Sequence, residues 1–178
     1  MRIGDIISFR KDLYFEGAVQ ADWFYSPVKS AKVAENFVFH GKDYFGVDKK
    51  AKSIDTISLA QILSHKLTDE TANPLSLVIA DYGTGKSHFA VTLAQLFSGS
   101  TYMSETYRAI INNIRKIDKV SAKEIGSASN DRNFVLVING MRDFNLHYEI
   151  LRAAQRSLQL YGLSDEKLHA LNRTLETA

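Results

Sequence analysis

The sequence predicts an α/β fold. A parallel sheet with flanking helices, incomplete within these residues, follows a small aromatic-rich module that contains β structure. Three observations predict it. Two short apolar runs, LSLVIA (75–80) and FVLVI (134–138), have the composition of strands buried on both faces. Stretches of helical periodicity stand before and after each run. Ten of the nineteen aromatic residues fall between Phe9 and Phe45, ahead of all of them.

Residues 1–52 form the expected aromatic module. AVQADWFY and NFVFHG read as short strands, rich in aromatic and β-branched residues and ended by Pro27 and Gly41, with a short helix in VKSAKVAENF between them. Their rings are expected to fill a small core and to pack on the next domain. Lys49, Lys50 and Lys52 read as a solvated linker. Residues 53–178 form the expected core domain. Ile57, Ala60, Leu63 and Leu67 recur at helical spacing over Thr56–Thr68, and Asn73-Pro74 marks a turn before the first strand. Helices are expected over Lys86–Ser98, with Phe89, Leu93, Leu96 and Phe97 as its stripe, and over Glu105–Asp118 with Tyr107, Ile110, Ile111, Ile114 and Ile117. KVSAKEIGSASNDRN reads as a polar loop with at most one helical turn. After the second strand, a helix over Asn145–Tyr161 carries Ile150, Leu151, Ala154, Leu158 and Tyr161 on one side. Ser164 can cap a last helix with Leu168, Leu171 and Leu175.

Bulk properties narrow the partners. The chain has 178 residues, a net charge of +2 and no cysteine, so disulfides and thiolate metal sites are excluded. So small a charge gives no general attraction to nucleic acid without local clustering. Charges at Arg2, Asp5, Arg10, Lys11 and Asp12 break any signal-peptide apolar region, and no run approaches the roughly 20 apolar residues of a membrane span. A cytoplasmic protein without a membrane partner is expected.

ADYGTGKS (80–87) carries the chemistry. It matches the Walker A pattern with Ala80 in place of the first glycine, a position that ends a strand and needs only a small residue. Gly83 and Gly85 let the backbone turn through conformations costly for other residues. Successive N–H groups then face inward around phosphate oxygens. The helix beginning at Lys86 points its positive end at the same anion. Lys86 supplies a charge for the β- and γ-phosphates, and Ser87 a hydroxyl for Mg²⁺. The expected nucleotide-binding residues are Ala80, Gly83, Thr84, Gly85, Lys86, Ser87 and His88, with Ser87 also the metal ligand. For His88 a packing role competes with approach to the nucleotide. With this motif the expected fold becomes P-loop NTPase-type.

Phosphate binding alone is not hydrolysis, which also needs an acid for Mg²⁺ and a group that orients water. The later strand FVLVIN ends in Asn139 rather than an acidic pair, and Asp143 lies beyond a glycine turn. Either this strand is degenerate, or the acidic strand lies beyond residue 178. The second reading is preferred, because a lone parallel pair leaves its edges unpaired. No guanine-reading Asn-Lys-x-Asp segment is present, which leaves ATP as the nucleotide. About 80 residues precede the loop, unlike the small nucleotide kinases, whose loop stands near the N-terminus.

YGTGKSHFAVTLAQLF, preceded by GAVQADWFY and KVAENFVFHG, resembles the N-terminal part of the large P-loop ATPases of prokaryotic anti-phage defence systems, of the BREX type and related defence-island proteins. The resemblance implies a longer chain, ATP and Mg²⁺ as ligands, and partners within a defence complex acting on or near DNA. Only Ala80, Gly83, Gly85, Lys86 and Ser87 carry over; no position matches a Walker B acid or an arginine finger.

Three functions are expected on these grounds. The first is the ATP-binding module of a larger ATPase, inactive by itself. The second is a non-catalytic interaction domain whose loop is a nucleotide-gated assembly switch and whose aromatic N-terminal module docks a partner; the partners expected are other subunits of a defence complex or a second copy. The third is a nucleic-acid-binding module whose loop amides hold DNA phosphates.

Overall fold

The computed structural model describes residues 18–43, 54–99, 104–129, 133–140 and 145–163, together with positions 166, 169, 170 and 173. Among the described residues every regular element is helical. A 3-10 helix at Ala21–Tyr25 precedes α1 (Pro27–Glu35), α2 (Thr56–Thr68), α3 (Lys86–Phe97), α4 (Ser104–Arg115), α5 (Lys119–Ala128) and α6 (Leu146–Leu160).

The helices start where side chains can take the first free amides. Asp55 accepts from the Ser58 amide ahead of α2, Asp118 from the Val120 and Ser121 amides ahead of α5, and Asn145 from the Tyr148 amide ahead of α6. Pro27 stands at the start of α1, where a missing N–H costs nothing. α3 is the central element. It packs on α1, on the 3-10 helix and on α4, and Val91 through Leu96 are all buried. Phe89, Leu93 and Leu96 join Phe37, Phe39, Ile110, Ile111 and Ile114 in one core, which extends through Ala60 and Ile125 to α2 and α5. Phe37 meets Phe39 edge-on and Phe89 at a tilt, so the N-terminal aromatics lie directly on the helix behind the glycine hairpin.

The parallel sheet is not formed, and the expected α/β class gives way to an all-helical arrangement among the described residues. An apolar run calls for burial but does not create a ladder; a strand exists only where a neighbour takes its N–H and C=O groups. Residues 75–80 have no such neighbour among the described residues. Leu75, Leu77 and Ile79 are 81%, 85% and 84% exposed. Residues 133–138 likewise lack regular structure, and their backbone is held by side chains instead. The Tyr25 hydroxyl donates to Val137 O and accepts from Val137 N–H, both at 2.9 Å. Ser157 Oγ donates to Val135 O at 2.6 Å, and the Tyr161 hydroxyl to Asn133 O at 3.3 Å.

Other expectations also shift. Within AVQADWFY, Ala21–Tyr25 form the 3-10 helix rather than a strand, and Phe24 is fully buried. NFVFHG forms no strand: Asn36 closes α1, and the residues after it have no regular structure, with Phe37 and Phe39 turned into the core. The expected polar loop after Asp118 is α5, a ten-residue helix that buries Ser121, Ala122 and Ile125. α6 spans the expected residues but faces inward with Ala153 and Ser157, while Ile150 is exposed. Small side chains there let the hydroxyl of Ser157 reach the neighbouring backbone. Residues 1–17, the lysines at 49, 50 and 52, Asp143, and Ser164 with Leu168, Leu171 and Leu175 lie outside the described residues.

Candidate phosphate-binding site

α3 begins at a tight hairpin. Gly85 is its N-cap, left-handed at φ 84°, and no side chain caps the helix. The first N–H groups of a helix have no carbonyl behind them; here they open onto the hairpin. Gly83 is also left-handed, at φ 79°, with Thr84 between at ordinary φ. Such alternation makes a concave run of amides that suits an anion. A Cβ on either glycine would meet nothing within 4 Å. Backbone conformation rather than crowding therefore requires glycine there.

Two side chains brace the hairpin. Thr84 Oγ1 donates to Asp81 O at 2.8 Å. Lys86 Nζ reaches back across the loop to Ala80 O at 2.7 Å and Asp81 O at 2.6 Å. An ammonium has three donors, so two hold the loop and one is left for an oxygen in front of it. Residues 81–87 are all exposed.

Of the expected site residues, Ala80, Gly83, Thr84, Gly85, Lys86 and Ser87 come together in this hairpin. His88 does not join them. Its Nε2 lies 2.7 Å from Val33 O, and its ring meets Phe37 edge-on. Burial pushes its pKa below the ordinary histidine value, against the pull of the Val33 carbonyl. This is a packing histidine that fastens α3 to α1.

A cavity of about 550 Å³ adjoins the hairpin. Tyr82 and Ser87 line it from the loop, Asn139 from the second apolar run, and Arg152 and Arg156 from α6. Arg152 pairs with Glu149 at 3.7 Å, and the Arg156 guanidinium lies 4.1 Å over the Tyr25 ring. Asp22 also lines the cavity. Sequence reasoning missed Asp22, Arg152 and Arg156. The spacing of the two arginines places them on one face of α6, but nothing in the sequence says which face turns to the loop. Asn139, at the end of its apolar run, does reach the same cavity as Ser87.

Among the described residues, no group of three or more His, Asp or Glu gathers to hold a metal. A Mg²⁺ beside Ser87 would therefore take most of its oxygens from a ligand's phosphates and from water, its ordinary habit. The residues present fit such an ion as part of a metal–phosphate complex and do not fit a free ion.

The arrangement sets two left-handed glycines at a helix N-terminus, with an ammonium across the hairpin and a hydroxyl beside it. Compared with known protein families, curated proteins and solved structures, the chain matches none. Among the described residues, no helix is long and apolar enough to cross a membrane.

Proposed function

We propose that the hairpin at 80–87 binds the polyphosphate of ATP with Mg²⁺, and that the chain is the nucleotide-binding part of a larger ATPase. The observation that supports this best is the geometry of Lys86. Its ammonium is stretched over a loop with two left-handed glycines, at the uncapped start of a helix, with one donor left over. Backbone amides would hold the phosphate oxygens, Lys86 would neutralise their charge, and Ser87 would contribute a hydroxyl to Mg²⁺. Bound Mg²⁺ would draw charge from the phosphates; the chain's own residues bind and orient them.

The likeness to BREX-type and related defence ATPases supplies the setting: a subunit of a prokaryotic anti-phage complex, in the cytoplasm, with other subunits or a second copy as partners and DNA met through them. A nucleotide-gated switch without hydrolysis uses the same site.

Titration calorimetry of Mg-ATP into the intact polypeptide and its Lys86→Ala variant tests the reading. Loss of one charge-assisted hydrogen bond removes about 1.5–3 kcal/mol, an affinity loss on the order of 10- to 100-fold. Equal affinity in the variant, or no heat from the unaltered protein at millimolar ligand, overturns it. If Lys86→Ala weakens only salt-sensitive DNA binding, the loop serves nucleic-acid phosphates instead.

A further inference from the structure

The cavity beside the hairpin contains two opposite charges that have not found each other. Asp22 Oδ1 is shut off from solvent and has no hydrogen-bond partner among the described residues. Arg156 has Tyr25's ring beneath it and no carboxylate partner among the described residues. Both line the same cavity as Ser87. A carboxylate oxygen taken out of water without a donor is costly, while the half-buried Arg156 guanidinium offers its donors to an anion. One ligand that carries both signs answers both groups.

A metal–polyphosphate is such a ligand. Its cation prefers hard oxygen donors and accepts one or two protein carboxylates, while its phosphates suit the planar fork of a guanidinium. Arg152, on the same wall, is already paired with Glu149. Resting on the nucleotide reading above, we infer that Asp22 is the carboxylate that faces the Mg²⁺ of bound Mg-ATP, and that Arg156 contacts its phosphate oxygens from α6. The acid that FVLVIN lacks then comes from the segment upstream of the loop, not from a strand downstream of it.

ATP affinity of the intact polypeptide, measured with Mg²⁺ and with excess EDTA, separates the roles. The unaltered protein is expected to bind at least about tenfold tighter with Mg²⁺, the size of one charge-assisted contact. Asp22→Asn is expected to lose most of the Mg²⁺ gain and, with one negative charge fewer beside the phosphates, to bind no more weakly in EDTA. Arg156→Gln is expected to weaken both by similar factors. A readout on the unaltered protein needs no variant: Fe²⁺ in place of Mg²⁺, with ATP, ascorbate and peroxide, should cleave the backbone beside residue 22, as mass spectrometry would show. If the protein binds ATP but Asp22→Asn keeps the full Mg²⁺ gain, or no cleavage appears near residue 22, the assignment of Asp22 is overturned and the nucleotide site stands. If Arg156→Gln binds as tightly as the unaltered protein, the assignment of Arg156 is overturned. If no ATP binds at all, the nucleotide reading and this inference fall together.

Discussion

Residues 75–80 and 134–138 look alike in sequence and are held in opposite ways. Each is a short apolar run leading into a small or polar residue and a turn. Both lack regular structure, and neither pairs with a strand among the described residues. The later run is gripped along its length, with Tyr161, Ser157 and Tyr25 bonded to the backbone of Asn133, Val135 and Val137. These are alternate residues, so one edge of the chain is bonded while Phe134 and Leu136 stay exposed. Among the described residues, the earlier run is tied only at its ends. Lys66 holds Leu75 O and Ser76 Oγ, Lys86 holds Ala80 O, and the middle is bare. Hydroxyls on an aromatic ring and on a helix can thus do for a backbone what a neighbouring strand would do. Composition decides that a run is apolar; side chains distant in sequence decide whether it is held.

The strongest way to break the comparison is Tyr25→Phe. It removes the one group that both donates to and accepts from Val137, and leaves an N–H and a C=O in a partly buried place. The expected loss is about 1–3 kcal/mol, read from the urea midpoint. A loss below about 0.5 kcal/mol would mean that the segment is held by packing alone and that the two runs differ less than their hydrogen bonds suggest.

The next effect is on pH dependence. Burial pushes the Tyr25 phenol above its ordinary value of 10.0, and this outweighs the opposing bonds to Val137 and Ser157 and the charge of Arg156. The unfolded chain then loses this proton first as pH rises. The contribution is complete below pH 10 and is lost as pH climbs through the raised folded value. Thermal unfolding should come earlier as pH goes above 10, and Tyr25→Phe should flatten that dependence. An identical alkaline slope in both proteins would show that the phenol is not the group responsible.

Much of the helical frame is legible in the sequence. Most of the i, i+3, i+4 patterns of α2, α3 and α4 survive, because each turns a stripe into one core; Ile57 and Ala60, Phe89 and Leu93, and Ile110 and Ile114 lie in it together, while the expected stripe members Leu67 and Ile117 are exposed, Ile117 lying past the end of α4. α5 escapes such reading because its buried residues include Ser121 and Ala122, which carry little hydrophobic signal. The inward face of α6 is hidden for a related reason: it turns Ala153 and Ser157 inward and leaves Ile150 to solvent. The hairpin is legible residue by residue, since positive φ at Gly83 and Gly85 is a local demand. The cavity is not, because it joins Asp22, Ser87, Asn139 and Arg156 from four separate stretches of chain.

The smallest expected effect concerns the bare run. Ile79 is 84% exposed, so Ile79→Thr should change stability by no more than about 0.5 kcal/mol. Threonine keeps the β-branched backbone preference and removes apolar surface, so any cost reflects burial rather than conformation. An exposed, uncharged apolar segment is also a template for pairing between chains. Ile79→Thr should therefore raise the concentration at which light scattering first reports association, while the urea midpoint stays in place. A loss above about 1 kcal/mol would mean that Ile79 is covered in solution, and hydrogen exchange should then show protected amides at 76–79. In that case the earlier run would be as firmly held as the later one, by a partner rather than by Tyr25 and Ser157.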